Sequence, residues 1–344
     1  MNRIRVTAIV SALTALALLL LGCSSNQNNT QSGGTTAVDA AKTPVTIGID
    51  VPFHPIFDYL TANADNYFKN TPYHVTFKTL DATTQVPAFG RGDLNVITTV
   101  PSFMPTIKKQ YGIDTKYFFP MARWTPGPQL LVPKGSPVKS IEDLKGKKVA
   151  IAPLSSRFGA EQAAVEAATG QTINNYFQLS ETDAAAQQLS LGRVDAAFLE
   201  APATAPLLAA GYQPVFSVQQ AFDKAFGDPA VMNGGFIASS AFVAKNPEFI
   251  KALVAATQDA WTTFQKDPGT VIAAASKVSG LPPAQLELVA QVLNLAQTTD
   301  AQKTVSVRDV QTWAKIYPLL RKSGFIQESP PDPASLFVLT ATGK

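Results

Sequence analysis

The chain of 344 residues has a single cysteine, Cys23, and only two histidines, His54 and His74. One thiol cannot close an internal disulfide or build a cysteine-rich metal cluster. Two imidazoles are poor material for a transition-metal site or a histidine-dependent triad, so neither a cofactor nor a metal is expected. Charge is scarce as well: Asp, Glu, Lys and Arg make up 15% of the chain, and no run of like charges forms an acidic or basic tail. A net charge of +3 is far from the basic footprint of a nucleic-acid-binding protein. A phosphate-binding loop is missing too: Lys145-Gly146-Lys147-Lys148 lacks the upstream glycine and the Ser/Thr that such a loop requires. Beyond the N-terminus no apolar run reaches eighteen residues, so no later segment is expected to span a bilayer.

Present instead, at the N-terminus, is a basic pair, Arg3 and Arg5, followed by a run from Ile9 to Leu21 that is apolar except for Ser11 and Thr14. It is short for a membrane-spanning helix and suits the apolar core of a signal peptide. The run closes in Leu20-Leu21-Gly22-Cys23, which resembles the lipobox of bacterial lipoproteins, with Cys23 at the acylated position. A plain secretory signal with an incidental cysteine is the other reading. Removal of residues 1–22 takes away Arg3 and Arg5 from 28 basic residues and leaves 26 against 25 acidic. Residues 23–43 are rich in Ser, Asn, Gln, Gly and Thr and read as a flexible tether with few large apolar side chains to bury.

The remaining 300 or so residues are enough for two domains of about 150. Short β-rich runs alternate with helical patterns. Val45–Ile49, His74–Leu80, Asn95–Val100, Phe118–Met121, Leu130–Val132, Lys147–Ala152 and Val194–Leu199 read as strands. Helices are predicted over Phe57–Lys69 and over Arg157–Thr169, the latter ended by Gly170, and from a cap at Ser180 and Asp183 through Ser190. Strands separated by helices imply βα units and a mostly parallel sheet. From about residue 245 the pattern turns helical. Phe249, Ile250, Leu253, Val254, Trp261 and Phe264 share one face of a helix that Asn246 and Pro247 open, and helices follow over Pro282–Ala296 and Ser306–Ser323.

The string from Gly135 to Ala150, GSPVKSIEDLKGKKVA, is the most specific internal feature. It resembles the segment that opens the second domain of type II periplasmic solute-binding proteins, above all the nitrate/sulfonate/taurine and thiamine-precursor group. Arg91-Gly92-Asp93-Leu94-Asn95-Val96 and Leu191-Gly192-Arg193-Val194-Asp195-Ala196 resemble the glycine, acidic residue, strand pieces of the same family, although Asn95 stands where an Asp is common. The resemblance covers about residues 45–325. It implies an α/β fold of the periplasmic-binding-protein type II kind: two lobes of mostly parallel sheet flanked by helices and joined by two crossover segments, near Gln129–Pro133 and Gly235–Ala238. One lobe would be 44–128 plus 236–344 and the other 129–235. The implied protein is a monomer that delivers a small solute to the permease and ATPase subunits of an ABC importer outside the cytoplasm, held to the membrane by its lipid.

In open α/β sheets ligands sit beyond the carboxyl ends of strands, beside helix N-termini. That rule selects Phe53 and His54, Thr84, Ser102 and Phe103, Arg123 and Trp124, then Ser155, Ser156, Arg157 and Phe158, and finally Glu200 and Asn233. Ser155-Ser156-Arg157 at a helix start has the chemistry of an anion site, because free N–H groups, the helix dipole and a guanidinium fork converge there. Arg123 and Arg157 suit an organosulfonate, a taurine-like ligand or another organic anion. Glu200, Asp50 and the aromatic residues suit a flat heterocycle such as a thiamine-type pyrimidine or a flavin. Two further classes stay open. An enzyme on the same fold is one, although fungal thiamine-pyrimidine synthases carry a Cys-rich, His-containing motif that has no counterpart here. A sensor-like lipoprotein that binds a protein partner is the other.

Overall fold

The computed structural model describes residues 42–49, 54–153, 159–328 and 332–340. The signal-like segment, Cys23 and the tether up to residue 41 lie outside the described residues. So do Asp50 to Phe53 and the stretch from Leu154 to Phe158. The last residue of the expected tether, Thr43, opens the first strand instead.

Strand β1, Thr43–Ile49, buries Val45, Ile47 and Ile49 at a spacing of two, the pattern of a pleated segment packed on one face. Strands β2, Tyr73–Thr79, β3, Val96–Thr99, and β4, Thr115–Pro120, follow. The chain then passes through residues 121–128 into a second set: β5, Gln129–Val132, β6, Lys148–Ile151, β7, Gln178–Glu181, β8, Ala196–Leu199, and β9, Gln213–Ser217. It returns for β10, Gly235–Ser239. The result is two five-stranded sheets, β2-β1-β3-β10-β4 and β7-β6-β8-β5-β9. The orders correspond strand for strand, with β10 and β5 in equivalent places, each the first strand after a change of sheet.

The sheets are mixed rather than mostly parallel. β1 pairs with β2 and β3 in parallel, but β10 runs antiparallel to both β3 and β4. In the second sheet β5 is antiparallel to β8 and β9. Sequence shows where a strand is; the direction in which a strand arrives after a crossing is set by the connection. Gln129–Val132 and Gly235–Ser239 are thus strands inside their sheets, and the connections are neighbouring segments. Those connections lie side by side: Asn233 N donates to the Ala122 carbonyl (3.0 Å), Trp124 N to that of Val231 (2.9 Å), and Met121 N and Ala122 N both to that of Gly234 (2.9 Å each). Gly235 allows this close approach, because a Cβ there would stand 2.1 Å from the Tyr117 hydroxyl.

The two glycine-acid-strand pieces perform one structural task twice. Asn95 Oδ1 accepts from Thr46 N at 2.8 Å, and Asp195 Oδ2 from Lys148 N at 2.9 Å. Their own N–H groups return to the Thr46 and Lys148 carbonyls, each at 2.8 Å. Each side chain thereby satisfies a backbone donor at the amino end of the innermost parallel pair. An amide oxygen does this as well as a carboxylate, so Asn95 is no departure in function.

Several helix boundaries differ from the sequence reading. The predicted helix over 57–69 is split into Pro55–Ala62 and Ala64–Phe68 at Asn63. Ser180 is not a cap; it lies in β7, an edge strand whose Gln-Leu-Ser-Glu sequence carries no β signal and which forms by pairing with β6. An additional helix, Pro268–Ser279, is capped by Asp267 Oδ1 accepting from Thr270 N at 3.1 Å. Among the described residues no helix is long and apolar enough to cross a membrane.

Arg123 and Trp124, anticipated as ligand contacts, are structural. All five Arg123 N–H groups are engaged. Nε donates to the Gln302 carbonyl and Nη1 to that of Ala230, both at 2.8 Å. Nη1 also donates to Asp309 Oδ1 (2.5 Å), and Nη2 to the Thr304 carbonyl (2.8 Å) and to Asp309 Oδ2 (3.3 Å). The pair is nearly sealed, at 9% and 3% side-chain exposure. Trp124 packs in the core against Phe222 and Trp313, with ring centroids 5.3 and 6.0 Å away. An arginine with no spare donor cannot also bind an anion. Removing one partner of such a buried pair leaves an uncompensated charge, so Arg123→Ala is expected to lower stability by about 3–5 kcal/mol. Urea denaturation checks this; a loss under about 1 kcal/mol, the range of exposed ion pairs, contradicts the assignment.

Candidate functional site

The carboxyl ends of both sheets carry the helix starts. Pro55–Ala62 follows β1, Ala82–Gly90 follows β2, and the 3-10 turn Pro101–Phe103 with helix Met104–Tyr111 follows β3. In the second half Ala160–Thr169 comes after β6 and Ala201–Ala209 after β8. Between the two halves lies a cavity of about 550 Å³. Thr83, Phe103 and Thr106 line it from the first half, Gln162, Thr172 and Asn174 from the second, and Ser323 to Phe325 from the end of the C-terminal helix Val307–Lys322.

Several of the buried polar atoms without partners lie along the same edge. They include both His54 ring nitrogens, Thr99 Oγ1 at the end of β3, Gln129 Oε1 opposite the end of β8, Gln162 Oε1, Thr204 Oγ1 and Asn233 Oδ1. A buried polar group left unsatisfied costs about 1–3 kcal/mol. Such groups are places that a bound molecule or water can complete.

The anticipated site residues divide. Phe103 is half-buried, lines the cavity and meets Phe325 edge-on, with centroids 5.8 Å apart at 66°. Thr84 is exposed on the first turn of helix Ala82–Gly90. Its N–H and hydroxyl go to the Asp81 carboxylate at 2.8 and 3.2 Å, and its neighbour Thr83 is the one at the cavity. Hydrogen bonds from Thr83 and then Thr84 hold the Asp81 carboxyl below the usual carboxylate range. Ser102 is fully buried within the 3-10 turn. Glu200 occupies the N-cap position of helix Ala201–Ala209, where its carbonyl accepts from Thr204 N at 2.8 Å while its side chain does not cap. Asn233 is half-buried in the returning connection. Phe53, Ser155, Ser156, Arg157 and Phe158 lie outside the described residues. The described helix begins at Ala160 behind an N-cap of Gly159, whose φ of 76° is left-handed, rather than at Arg157 behind serine caps.

His54 stands at the N-cap position of helix Pro55–Ala62 without capping it. Its ring is 1% exposed and packs on Phe57 (4.7 Å) and Trp261 (6.0 Å). The indole Nε1 of Trp261 is also buried and unpartnered. Both rings border a second, much smaller cavity of about 20 Å³ that Lys303 also lines, roughly the space that one water needs. Asp58, one turn along the helix, is buried with a free Oδ2. Among the described residues no group of three His, Cys, Asp or Glu side chains could hold a metal ion.

The sequence reading missed Gln162 and Phe325. A glutamine inside the buried Ala-Glu-Gln-Ala-Ala-Val stretch of helix Ala160–Thr169 was a visible anomaly, since buried polar side chains need a reason. Phe325 gave no local signal; it reaches the cavity only because the C-terminal helix folds back over both halves.

A family model described as NMT1/THI5 like matches residues 58–271. The chain belongs to the NMT1/THI5-like family. Comparison with curated protein sequences finds no match. Among solved structures, this NMT1/THI5-like chain is similar to the periplasmic aliphatic sulphonate binding protein SsuA from Escherichia coli. Identity there is 18% over 88% of this chain and 94% of that one, with a TM-score of 0.69. It is similar to the alkanesulfonate-binding protein SsuA from Xanthomonas axonopodis pv. citri bound to MOPS, at 17% identity over 87% and 100% and a TM-score of 0.63. It is also similar to the desulfurization enzyme DszB, at 15% identity over 86% and 96% and a TM-score of 0.56. At these identities the likeness establishes the type II two-lobed fold.

Burial pushes the His54 pKa down from 6.5 to about 4 and the Asp58 pKa up from 3.8 to about 7. The two act on stability in opposite senses. Between pH 4 and 6.5 the unfolded chain binds a proton at His54 that the folded chain refuses, so stability falls as pH drops through that window. Between pH 3.8 and 7 the folded chain keeps a proton on Asp58 that the unfolded chain releases, so stability falls as pH rises. Asp58→Asn is expected to expose the histidine effect, a loss of stability from pH 6.5 toward 4, and His54→Gln the reverse slope from pH 4 to 7. Denaturant titrations across pH compare the two; parallel slopes contradict the assignment.

Proposed function

We propose that the chain is an extracytoplasmic solute-binding lipoprotein that captures a small organic ligand between two lobes and hands it to an ABC importer. One observation carries this reading: two sheets of the same strand order are joined by paired connections, and helices and turns of both halves line a shared cavity. Lobes of 44–128 plus 236–344 and of 129–235 would close on the ligand by bending those connections, and contacts from each lobe would favour the closed state. The likeness to two sulfonate-binding proteins supports the same reading. Acylation of Cys23 would tether the body, as a monomer, to the outer face of a membrane, where a separate permease and ATPase supply transport.

Catalysis is the weaker reading, although an enzyme shares the fold. The only thiol in the chain is Cys23, ahead of the body, and the buried His54 has no hydrogen-bond partner to orient it as a base. For the ligand itself, an organosulfonate and a flat heterocycle were both expected. With Arg123 fully engaged, the anion reading rests on Arg157.

Two measurements test the proposal. Small molecules released from natively purified protein are identified by mass spectrometry and added back to ligand-free protein. At a hundredfold excess over Kd a true ligand stabilises the folded state by about 2.7 kcal/mol, read as a rise in Tm, and is recovered unchanged; a chemically altered compound indicates an enzyme. Separately, Cys23→Ser is expected to shift the protein from the membrane fraction to the soluble fraction of expressing cells. Retention in the membrane removes the lipid anchor from the proposal.

A further inference from the structure

The smaller cavity, of about 20 Å³, is walled by His54, by Trp261 of helix Pro247–Lys266, by the outgoing connection around Arg123 and by the segment that ends in Lys303. All its described lining residues come from outside 129–235, so it is separate from the cavity between the halves. Lys303 is buried, and its ammonium donates to Gln265 Oε1 and Asp300 Oδ1, each at 3.2 Å. The first acceptor is neutral. The second belongs to a carboxylate that stands wholly in water, whereas the lysine side chain is 4% exposed. The ammonium also lies 5.9 Å from the centroid of the Trp261 ring. Trp261 Nε1 and both ring nitrogens of His54 are buried without partners.

We propose that this cavity is a site for a single halide ion, chloride, held by the Lys303 ammonium, the Trp261 indole N–H and a ring N–H of His54. The groups that meet there set the class. An ammonium and an indole N–H can only donate, and a neutral imidazole always carries one N–H, so the wall calls for an acceptor. Charge then favours an anion over water. A buried cation is costly unless an opposite charge meets it, and a carboxylate standing in water is a screened, weak partner. Size excludes larger anions: the space holds about one water-sized particle, so a carboxylate, sulfonate or phosphate group does not fit. The carbonyls of two lining residues are already turned to other donors, that of Gln302 to Arg123 Nε (2.8 Å) and that of Thr298 to Gln265 Nε2 (2.7 Å). The latter bond leaves the Gln265 Oε1 for Lys303. A bound ion would brace the outgoing connection against the helices of its own half, whatever solute the larger cavity takes.

Full-length protein is melted in sodium chloride, sodium bromide and sodium gluconate at equal ionic strength. Chloride and bromide are expected to raise Tm saturably over gluconate, whose anion is too large to enter. Lys303→Met keeps the length of the side chain and removes its charge, and should abolish the halide-specific rise; Trp261→Phe should reduce it. Crystals grown in bromide should show an anomalous peak within hydrogen-bond reach of Lys303 Nζ and Trp261 Nε1. That measurement uses the unaltered protein and decides the question if the variants do not fold. Equal melting in all three salts overturns the proposal. A halide-specific rise that survives intact in both variants overturns the location. Density in the cavity without a bromine signal identifies a water and overturns the anion. A bromine peak unaccompanied by any halide-specific rise in Tm marks an adventitious ion only and overturns the proposal as well.

Discussion

The Arg123–Asp309 pair is the constraint around which the rest of the molecule is arranged. Arg123 belongs to the outgoing connection, its Ala230 partner to the returning one, and Asp309 to the C-terminal helix. One guanidinium therefore fixes three segments that are far apart in sequence. Asp309 is itself held, accepting from the Ser306 backbone and hydroxyl in the capping box that starts the helix. Further bonds extend the grip: Thr312 Oγ1 donates to Asp228 at 2.7 Å, Trp313 Nε1 to the Met232 carbonyl at 3.0 Å, and Tyr317 Oη to the Pro101 carbonyl at 2.9 Å. The C-terminal helix thus tracks the returning connection and ends over the cavity. Its last turn approaches Gly159, where a Cβ would stand 2.7 Å from Leu320 and 3.0 Å from Phe325, and where the left-handed φ also requires glycine. The same helix thus both bonds to the returning connection and supplies part of the cavity wall.

Much of the fold was legible because its signals are local. Strand runs bounded by turn residues, Gly170 as a left-handed helix stop, and Pro247 at a helix start all stand where the sequence puts them. The two-lobed plan was legible through the resemblance to type II solute-binding proteins, one of whose pieces recurs in each half: Asn95 and Asp195 close equivalent turns onto equivalent strands. What was not legible is decided by tertiary pairing. β7 has no β propensity of its own, and the antiparallel direction of β5 and β10 is a consequence of the crossings.

The candidate site was read less well, for a definable reason. Position at the carboxyl end of a strand identifies a loop but not the direction of its side chains. Phe103 turns into the cavity and Trp124 into the core, although both are aromatic residues in loops that the same rule selected. Arg123 has the chemistry of an anion ligand, and nothing local reveals that Asp309, 186 residues later, claims it. Gln162 and Phe325 became visible only through burial and through the path of the C-terminal helix.

The distribution of unmet hydrogen bonds separates architecture from function. At the amino edge of the sheets, Asn95 and Asp195 are matched to backbone donors, and the arrangement is closed. At the carboxyl edge, His54, Thr99, Gln129, Gln162, Thr204 and Asn233 each retain a buried polar atom without a partner. Keeping polar groups there lowers the stability of the protein, and at Gln162 it leaves a hydrogen-bond acceptor at the wall of the cavity.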